Sequence, residues 1–372
     1  MAGLGVGLIG TGYMGKCHAL AWNSVASVFG DIDRPRLVAL AEVDAELAAR
    51  KARDLGFAHA TSNWRDLLAD PDVDVISVTT PNAFHAEMAI AALEAGKHVW
   101  CEKPMAPLLG DAERMQAAAG RSGKITAMGY NYIQNPMIRQ IKGLIEQGAI
   151  GAVNHVRVEM DEDFMADPQA LFYWKSEAAS GYGALDDFAV HPLSLLFTLF
   201  GHVDAVVTDM VKPYAERPTA DGANRPVENH DLASVLFRLE GGISGVLMAN
   251  RSAWGRKGRI SLQIFGSQGS ILFDQERMNE FELYQNSGDR TQQGFRKILA
   301  APDHHPYDRF IPAPGHGLGF NDLKIIECHE LISAINGKPA HLISFGDGLQ
   351  IERSVHAMAR SFAERRWVTV ET

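Results

Sequence analysis

The residues with the plainest chemical meaning lie near the start of the chain. Gly10-Thr11-Gly12-Tyr13-Met14-Gly15 is a G-x-G-x-x-G that directly follows the apolar run Leu4–Ile9 and opens a helix-like segment. In such a turn the first glycine permits the tight bend and the second lets the backbone approach a pyrophosphate. The third lets helix and strand pack closely, so the helix N-terminus faces the anion. Glu42 ends the second apolar run, where a carboxylate is expected to accept hydrogen bonds from the ribose hydroxyls of a dinucleotide. It lies 27 residues past Gly15 (42 − 15), whereas about 20 is usual. The segment Val28–Arg36, with Gly30 and Pro35, reads as an inserted loop that accounts for the excess. No Arg or Lys directly follows Glu42, and its carboxylate would repel a 2′-phosphate, so NAD is expected rather than NADP. Thr80-Pro81-Asn82, with His85 three residues on, stands at the carboxyl end of another apolar run, where ligands bind in open α/β sheets.

The elements around these residues follow a regular alternation. Apolar runs at Leu4–Ile9, Leu37–Ala41, Val73–Thr79, His98–Cys101 and Ile125–Met128 read as strands buried on both faces. Between them Ala45–Leu55, His85–Glu94 and Leu108–Ala119 have helical spacing, with Gly56, Gly96 and Gly120 as stops. This βαβ order predicts a Rossmann-type α/β domain over 1–129. After residue 130 the pattern changes to a helix at Met137–Glu146 and strands at Val153–Met160, Val203–Val211, Leu232–Leu239, Ile243–Asn250, Ile260–Phe265 and Ser270–Phe273. Glu240-Gly241-Gly242 reads as a hairpin turn. Helices are expected at Asp322–Ala334 and Asp347–Glu364, and Gln285–Pro314 reads as a long loop. The expectation for 130–372 is an α+β domain with a large, mostly antiparallel open sheet that binds substrate and pairs subunits.

Trp100-Cys101-Glu102-Lys103-Pro104 continues the apolar run His98–Cys101. Taken with the glycine turn, the T-P-N-x-x-H turn and the stretch Gly181-Tyr182-Gly183-Ala184-Leu185-Asp186-Asp187-Phe188-Ala189-Val190-His191, it resembles the glucose-fructose oxidoreductase/inositol dehydrogenase (Gfo/Idh/MocA) family. The resemblance covers nearly the whole chain. It implies that Lys103, Asp187 and His191 are catalytic. Tyr182 and Ala189 depart from the family's usual glycines. The chemistry is coherent. On a helix Asp187 and His191 share a face, so the carboxylate can orient an imidazole that takes a hydroxyl proton as general base. Lys103 can stabilise developing alkoxide charge while NAD accepts hydride. Glu102, Lys103 and Asn131 are further candidates for holding the cofactor. Segments around His18-Ala19-Leu20-Ala21 and Ser252-Ala253-Trp254-Gly255-Arg256 resemble levoglucosan-dehydrogenase-like members, with inositol dehydrogenases next.

A pyranose, anhydrosugar or cyclitol substrate is therefore implied by the resemblance. Tyr132, Trp174 and Lys175, with Lys103, Asp187 and His191, are its candidate contacts; the aromatic rings serve equally well as core. Two other readings stay open: a glycoside hydrolase of the same fold that recycles NAD, and an NAD-binding regulator without turnover. The net charge of −10, without a Lys/Arg-rich run, argues against nucleic acid. Three scattered cysteines suggest neither a disulfide framework nor zinc. His304, His305 and His316 lack a carboxylate or cysteine at ligand spacing and read as a hydrogen-bonded loop, so no metal is expected. Without a signal-like or membrane-spanning segment, a cytoplasmic homodimer or homotetramer is the expectation, paired through the C-terminal sheet.

Overall fold

The computed structural model describes residues 3–371. Each apolar run of the first third becomes a strand, because Val, Ile, Leu and Ala on both faces leave no side to expose to water. Strands β1 (Gly5–Ile9), β2 (Arg36–Ala41), β3 (His59–Thr61), β4 (Val75–Val78), β5 (His98–Cys101) and β6 (Thr126–Met128) alternate with helices α1 (Tyr13–Phe29), α2 (Ala45–Leu55), α3 (Arg65–Ala69), α4 (His85–Glu94) and α5 (Leu109–Ser122). All strand pairings are parallel, in the order β3-β2-β1-β4-β5-β6. The order reverses between β1 and β4, which is where a doubly wound sheet opens its ligand crevice. Helix α2 shows how local chemistry sets its ends: Asp44 Oδ1 accepts the Leu47 N–H at 2.7 Å, and Gly56 stops the helix at φ 86°.

Two local expectations change. Val28 and Phe29 belong to α1, so the long spacing to Glu42 comes from a 17-residue helix as well as from the loop after Gly30. Gly120 lies inside α5, and Gly123 (φ 63°) ends it; with apolar packing on one face, an extra turn outweighs the modest penalty of an internal glycine.

The rest of the chain forms α6 (Pro136–Glu146), β7 (Val153–Glu162), α7 (Val190–Phe200), β8 (Val203–Val211), β9 (Glu216–Pro218), β10 (Asn224–Pro226), β11 (Leu232–Leu239), β12 (Ser244–Asn250), β13 (Lys257–Gly266), β14 (Gly269–Asp274), β15 (Glu280–Gln285), β16 (Arg296–Leu299), α8 (Tyr307–Phe310), α9 (Phe320–Ile335), α10 (Phe345–Glu364) and β17 (Val368–Thr369). Nine of these strands make one sheet, β16-β15-β14-β13-β7-β12-β11-β8-β17, antiparallel except where β7 lies parallel to β12. The large, mostly antiparallel sheet is as expected. The segment Gln285–Pro314 is not a continuous loop: β16 pairs with β15 through Glu280–Leu283, and α8 follows. Its charged strand Arg296–Leu299 carries no two-fold alternation and so reads as loop. Along β13, Ile260, Leu262 and Ile264 are fully buried, so this apolar run faces the core. The opposite face carries an ion ladder in which Arg259 meets Glu159, Asp161 and Asp274.

The contacts divide the chain into two compact units. One comprises Met1–Gln134 with Asp308–Pro312 and Leu318–Leu349, and the other Asn135–Tyr307 with Ala313–Gly317 and Gln350–Thr372. The first unit therefore takes in α9, which packs on α1, besides the sheet of β1–β6. Among the described residues, no helix is long and apolar enough to cross a membrane.

Candidate active site

In the first unit the glycine turn leaves β1 with Gly10 at φ 89°. A Cβ on Gly15 would lie 2.3 Å from the Gly10 carbonyl oxygen, so only glycine lets α1 pack this close. A Cβ on Gly12 would meet nothing within 4 Å. The protein's own packing does not need that glycine, and the bare backbone there fronts open space. No side chain caps α1 and no acidic residue stands in its first turn, so the N–H groups at Tyr13, Met14 and Gly15 are suited to a phosphate.

Glu42 is half-buried, and its Oε2 accepts from the Thr11 amide (2.9 Å) and hydroxyl (2.6 Å), while Oε1 accepts from the Val43 amide (3.0 Å). It thereby ties the glycine turn to the end of β2. A carboxylate has about four acceptor positions, so a ribose hydroxyl can still bond to it. These residues fit NAD: Gly10 to Gly15 can hold the pyrophosphate and Glu42 the ribose.

The loops after β4, β5 and β6 come next. Thr80 and Asn82 are half-buried and Pro81 is exposed, leading through a short 3₁₀ turn into α4. His85 is buried, with Nδ1 2.8 Å from the Pro104 carbonyl oxygen and Nε2 2.9 Å from that of Thr80, so its ring links the Thr80-Pro81-Asn82 turn to the Glu102-Lys103-Pro104 turn. Asn131 is buried and Tyr132 half-buried, its ring 6.1 Å from Phe320.

Lys103 is half-buried beside a fully internal ion cluster. Glu102 Oε1 meets His18 Nε2 at 2.9 Å and Lys324 Nζ at 2.6 Å, and Lys324 also donates to Glu327 Oε2 at 2.8 Å. The His18 ring stacks on Trp100 at 3.7 Å. Burial lowers the His18 pKa to about 4, so that ring is neutral near pH 7. Burial opposes the Glu102 charge too, but Lys324 and His18 outweigh it and hold the carboxyl well below the usual range. Neither His18, Lys324 nor Glu327 stands out by spacing; only folding brings them to Glu102.

In the second unit Asp187 and His191 do not share a regular α-helix. Leu185–Ala189 is a turn of π-helix and α7 starts at Val190. Such bulges are frequent at functional sites. Asp187 Oδ1 accepts from Lys175 Nζ at 2.7 Å, and Arg251 Nη1 stands 3.7 Å from Oδ2. Arg251 is buried and donates to Asp231 Oδ1 from Nε (3.0 Å) and Nη2 (2.6 Å). The Lys175 ammonium lies 5.9 Å from the Phe164 ring centre and 5.7 Å from that of Trp174, and both rings are exposed. Lys175 is therefore paired with Asp187, and Arg251 is a contributor that sequence inspection passed over.

His191 is buried. Asp186, adjacent to Asp187 in the chain, is also buried, accepting the Tyr182 amide, and burial pushes its carboxyl up to about 7. Tyr182, where a glycine is usual, places its hydroxyl 3.1 Å from His356 Nδ1. His304 Nδ1 accepts the Ala301 amide and His316 Nδ1 faces the Pro314 carbonyl, both local loop contacts.

Residues 4–130 match the model described as oxidoreductase family, NAD-binding Rossmann fold, and residues 138–272 match the GFO/IDH/MocA C-terminal domain. The levoglucosan dehydrogenase of Pseudarthrobacter phenanthrenivorans is 36% identical over 100% of this chain and 99% of its own. The chain belongs to the Gfo/Idh/MocA family. A solved levoglucosan dehydrogenase in complex with NADH and levoglucosan superposes with a TM-score of 0.95 at 37% identity, each chain fully covered. An NAD binding oxidoreductase from Klebsiella pneumoniae gives 0.96 at 37% identity, again over both whole chains. The protein is thus an NAD-dependent oxidoreductase of this family, and the glycine turn belongs to its cofactor-binding fold.

Proposed function

We propose that the protein oxidises a secondary hydroxyl of a pyranose-type sugar, foremost an anhydrosugar of the levoglucosan kind, to the ketone. The observation that carries this reading is the group formed by the Lys175–Asp187 ion pair and the exposed rings of Phe164 and Trp174. Exposed rings offer a surface for the C–H face of a sugar, and the neighbouring charges offer partners for its hydroxyls. The full-length similarity to levoglucosan dehydrogenase supports the same substrate class. NAD, when bound, takes up the hydrogen of the carbinol carbon as hydride. His191 accepts the hydroxyl proton, Asp187 orients the imidazole, and Lys103 donates a hydrogen bond to the oxygen as it becomes more negative.

The test follows NADH absorbance with a panel of levoglucosan, free pyranoses and cyclitols. Levoglucosan is expected to give the highest kcat/KM, with one NADH formed per ketone. Failure of every sugar and cyclitol to yield NADH would overturn the reading. Release of an aglycone from glycosides without NADH accumulation would replace it with the hydrolase.

Subunits are proposed to pair through the open face of the nine-stranded sheet, where Val211, Leu236 and Met248 are exposed. Sedimentation at micromolar concentration should show a dimer or tetramer; a monomer excludes such pairing.

A further inference from the structure

Glu102 is more heavily engaged than its place beside Lys103 requires. One carboxylate oxygen takes His18 from α1 and Lys324 from α9, while the other faces the Lys103 amide at 3.3 Å. The same carboxylate packs so closely on the backbone after β6 that a Cβ on Gly129 would come within 2.4 Å of it. The carboxylate therefore fixes the first residue of the Glu102-Lys103-Pro104 turn against two helices and a strand end. His85 fixes the last residue through the Pro104 carbonyl.

Lys324 brings a full positive charge to this carboxylate, whereas His18 is neutral, and the Lys324 side chain is wholly buried. An apolar side chain of the same length would fill this space without the desolvation cost of an ammonium and a carboxylate. What the ion pair supplies in return is a defined position for the carboxylate. Glu327 holds Lys324 from the side at 2.8 Å, and the Trp100 ring lies 5.3 Å from its ammonium. Lys324 is thus oriented before it reaches Glu102.

We propose that Lys324 is a positioning residue for the reaction, acting through Glu102 to fix the backbone turn that presents Lys103. The proposal rests on the reading of Lys103 as the residue that bonds the substrate oxygen. Lys324 itself touches neither substrate nor cofactor in this scheme. Its removal should lower kcat without removing a binding contact, because a misplaced catalytic group loses transition-state stabilisation first.

The experiment measures kcat, sugar KM and the NAD dissociation constant for Lys324→Met, Lys324→Arg, Lys103→Met and the double variant Lys103→Met/Lys324→Met. Lys324→Met should lose roughly 10–100-fold in kcat, in the range of losses when supporting residues are removed. Sugar KM and NAD affinity should change less than about threefold, well inside that loss. Lys324→Arg, which keeps the charge, should recover a large part of it. The double variant should be no slower than Lys103→Met alone, because residues that act as one unit are not additive. If Lys103→Met is itself near wild type, the reading of Lys103 fails. If Lys103→Met is slow and the second substitution multiplies the loss, Lys324 acts by another route and the proposal fails. Should Lys324→Met not fold, Glu102→Gln reads the same link from the other end at unchanged volume. It should also lower kcat, and wild-type turnover by a folded Glu102→Gln would overturn the proposal.

Discussion

Two carboxylates, one in each unit, are held by cations in different ways. Glu102 sits in a buried cluster, clamped by a fully buried lysine and a neutral histidine. Asp187 is partly accessible, held on one side by the buried Arg251 and on the other by Lys175, whose ammonium lies near exposed rings. A buried charge is retained at a cost and gives fixed geometry in exchange. A half-exposed lysine can release its partner and meet a ligand at little cost. On this contrast, the Lys103 turn is fixed within the fold, whereas the Lys175–Asp187 pair stands where solvent reaches it.

The sharpest way to probe the first region is Lys103→Met, which should lower kcat by roughly 10²–10⁴-fold, the usual worth of a proton-managing or charge-stabilising group. NAD affinity measured by fluorescence titration should hardly change. Near-wild-type turnover would remove Lys103 from the chemistry.

The second region answers to pH. If His191 is the base it must be neutral, so kcat/KM for oxidation should rise with pH, and His191→Ala should abolish that rise together with most of the rate. Asp187→Asn should move the rise to lower pH, because an anion near an imidazole favours its protonated form. Lys175 and Arg251 already offset part of that anion, so the displacement should be small. A pH–rate series in which neither variant alters the inflection would assign the proton to another group.

The glycine turn offers a milder contrast, since its carboxylate Glu42 is already bonded to the turn and to the Val43 amide. Glu42→Ser with Val43→Arg should shift the kcat/KM ratio toward NADP. Glu42 also holds the Thr11 amide and hydroxyl, so some NAD activity should be lost beyond what discrimination requires. A wild-type protein that already prefers NADP would contradict the role given to Glu42.

The two regions were unequally legible in the sequence. Five of the six parallel strands and the glycine turn announce themselves because apolar runs and turn glycines are local signals, whereas the short, mostly exposed β3 has no apolar run; α2 and α4 begin and end where their caps and spacing place them. Strand β16 was hidden because Arg296-Lys297-Ile298-Leu299 has a charged, short pattern whose pairing is settled by the neighbour β15. The π-turn at Leu185–Ala189 has no periodicity distinct from an α-helix over five residues. Lys324 and Arg251 look like ordinary surface charges in their segments. What makes them parts of a site is burial against Glu102 and Asp231, contacts that span 222 and 20 residues.

The smallest expected effect compares two adjacent aspartates. Asp186 is buried, and burial raises its carboxyl from an aspartate's ordinary 3.8 to about 7, with the Tyr182 amide opposing that rise and the Asp187 charge adding to it. The folded state then keeps a proton that the unfolded state releases between those two values. Stability contributed by this group is full below about pH 4, is lost as pH rises toward 7, and changes no further above that. Asp186→Asn stays neutral at every pH and keeps an oxygen for the Tyr182 amide, so its advantage over the wild type should grow across that interval, on the order of 1 kcal/mol or more at pH 8. Asp187→Asn should do the opposite, because it leaves the buried Arg251 and the half-buried Lys175 short of an anion. Denaturant midpoints at about pH 5 and about pH 8 on both variants decide the matter, since the linked protonation differs most between them. Equal gains for Asp186→Asn at both values would mean that the Asp186 carboxyl is already charged in the folded protein at the lower pH, and the contrast between the neighbouring carboxylates would then rest on Asp187 alone.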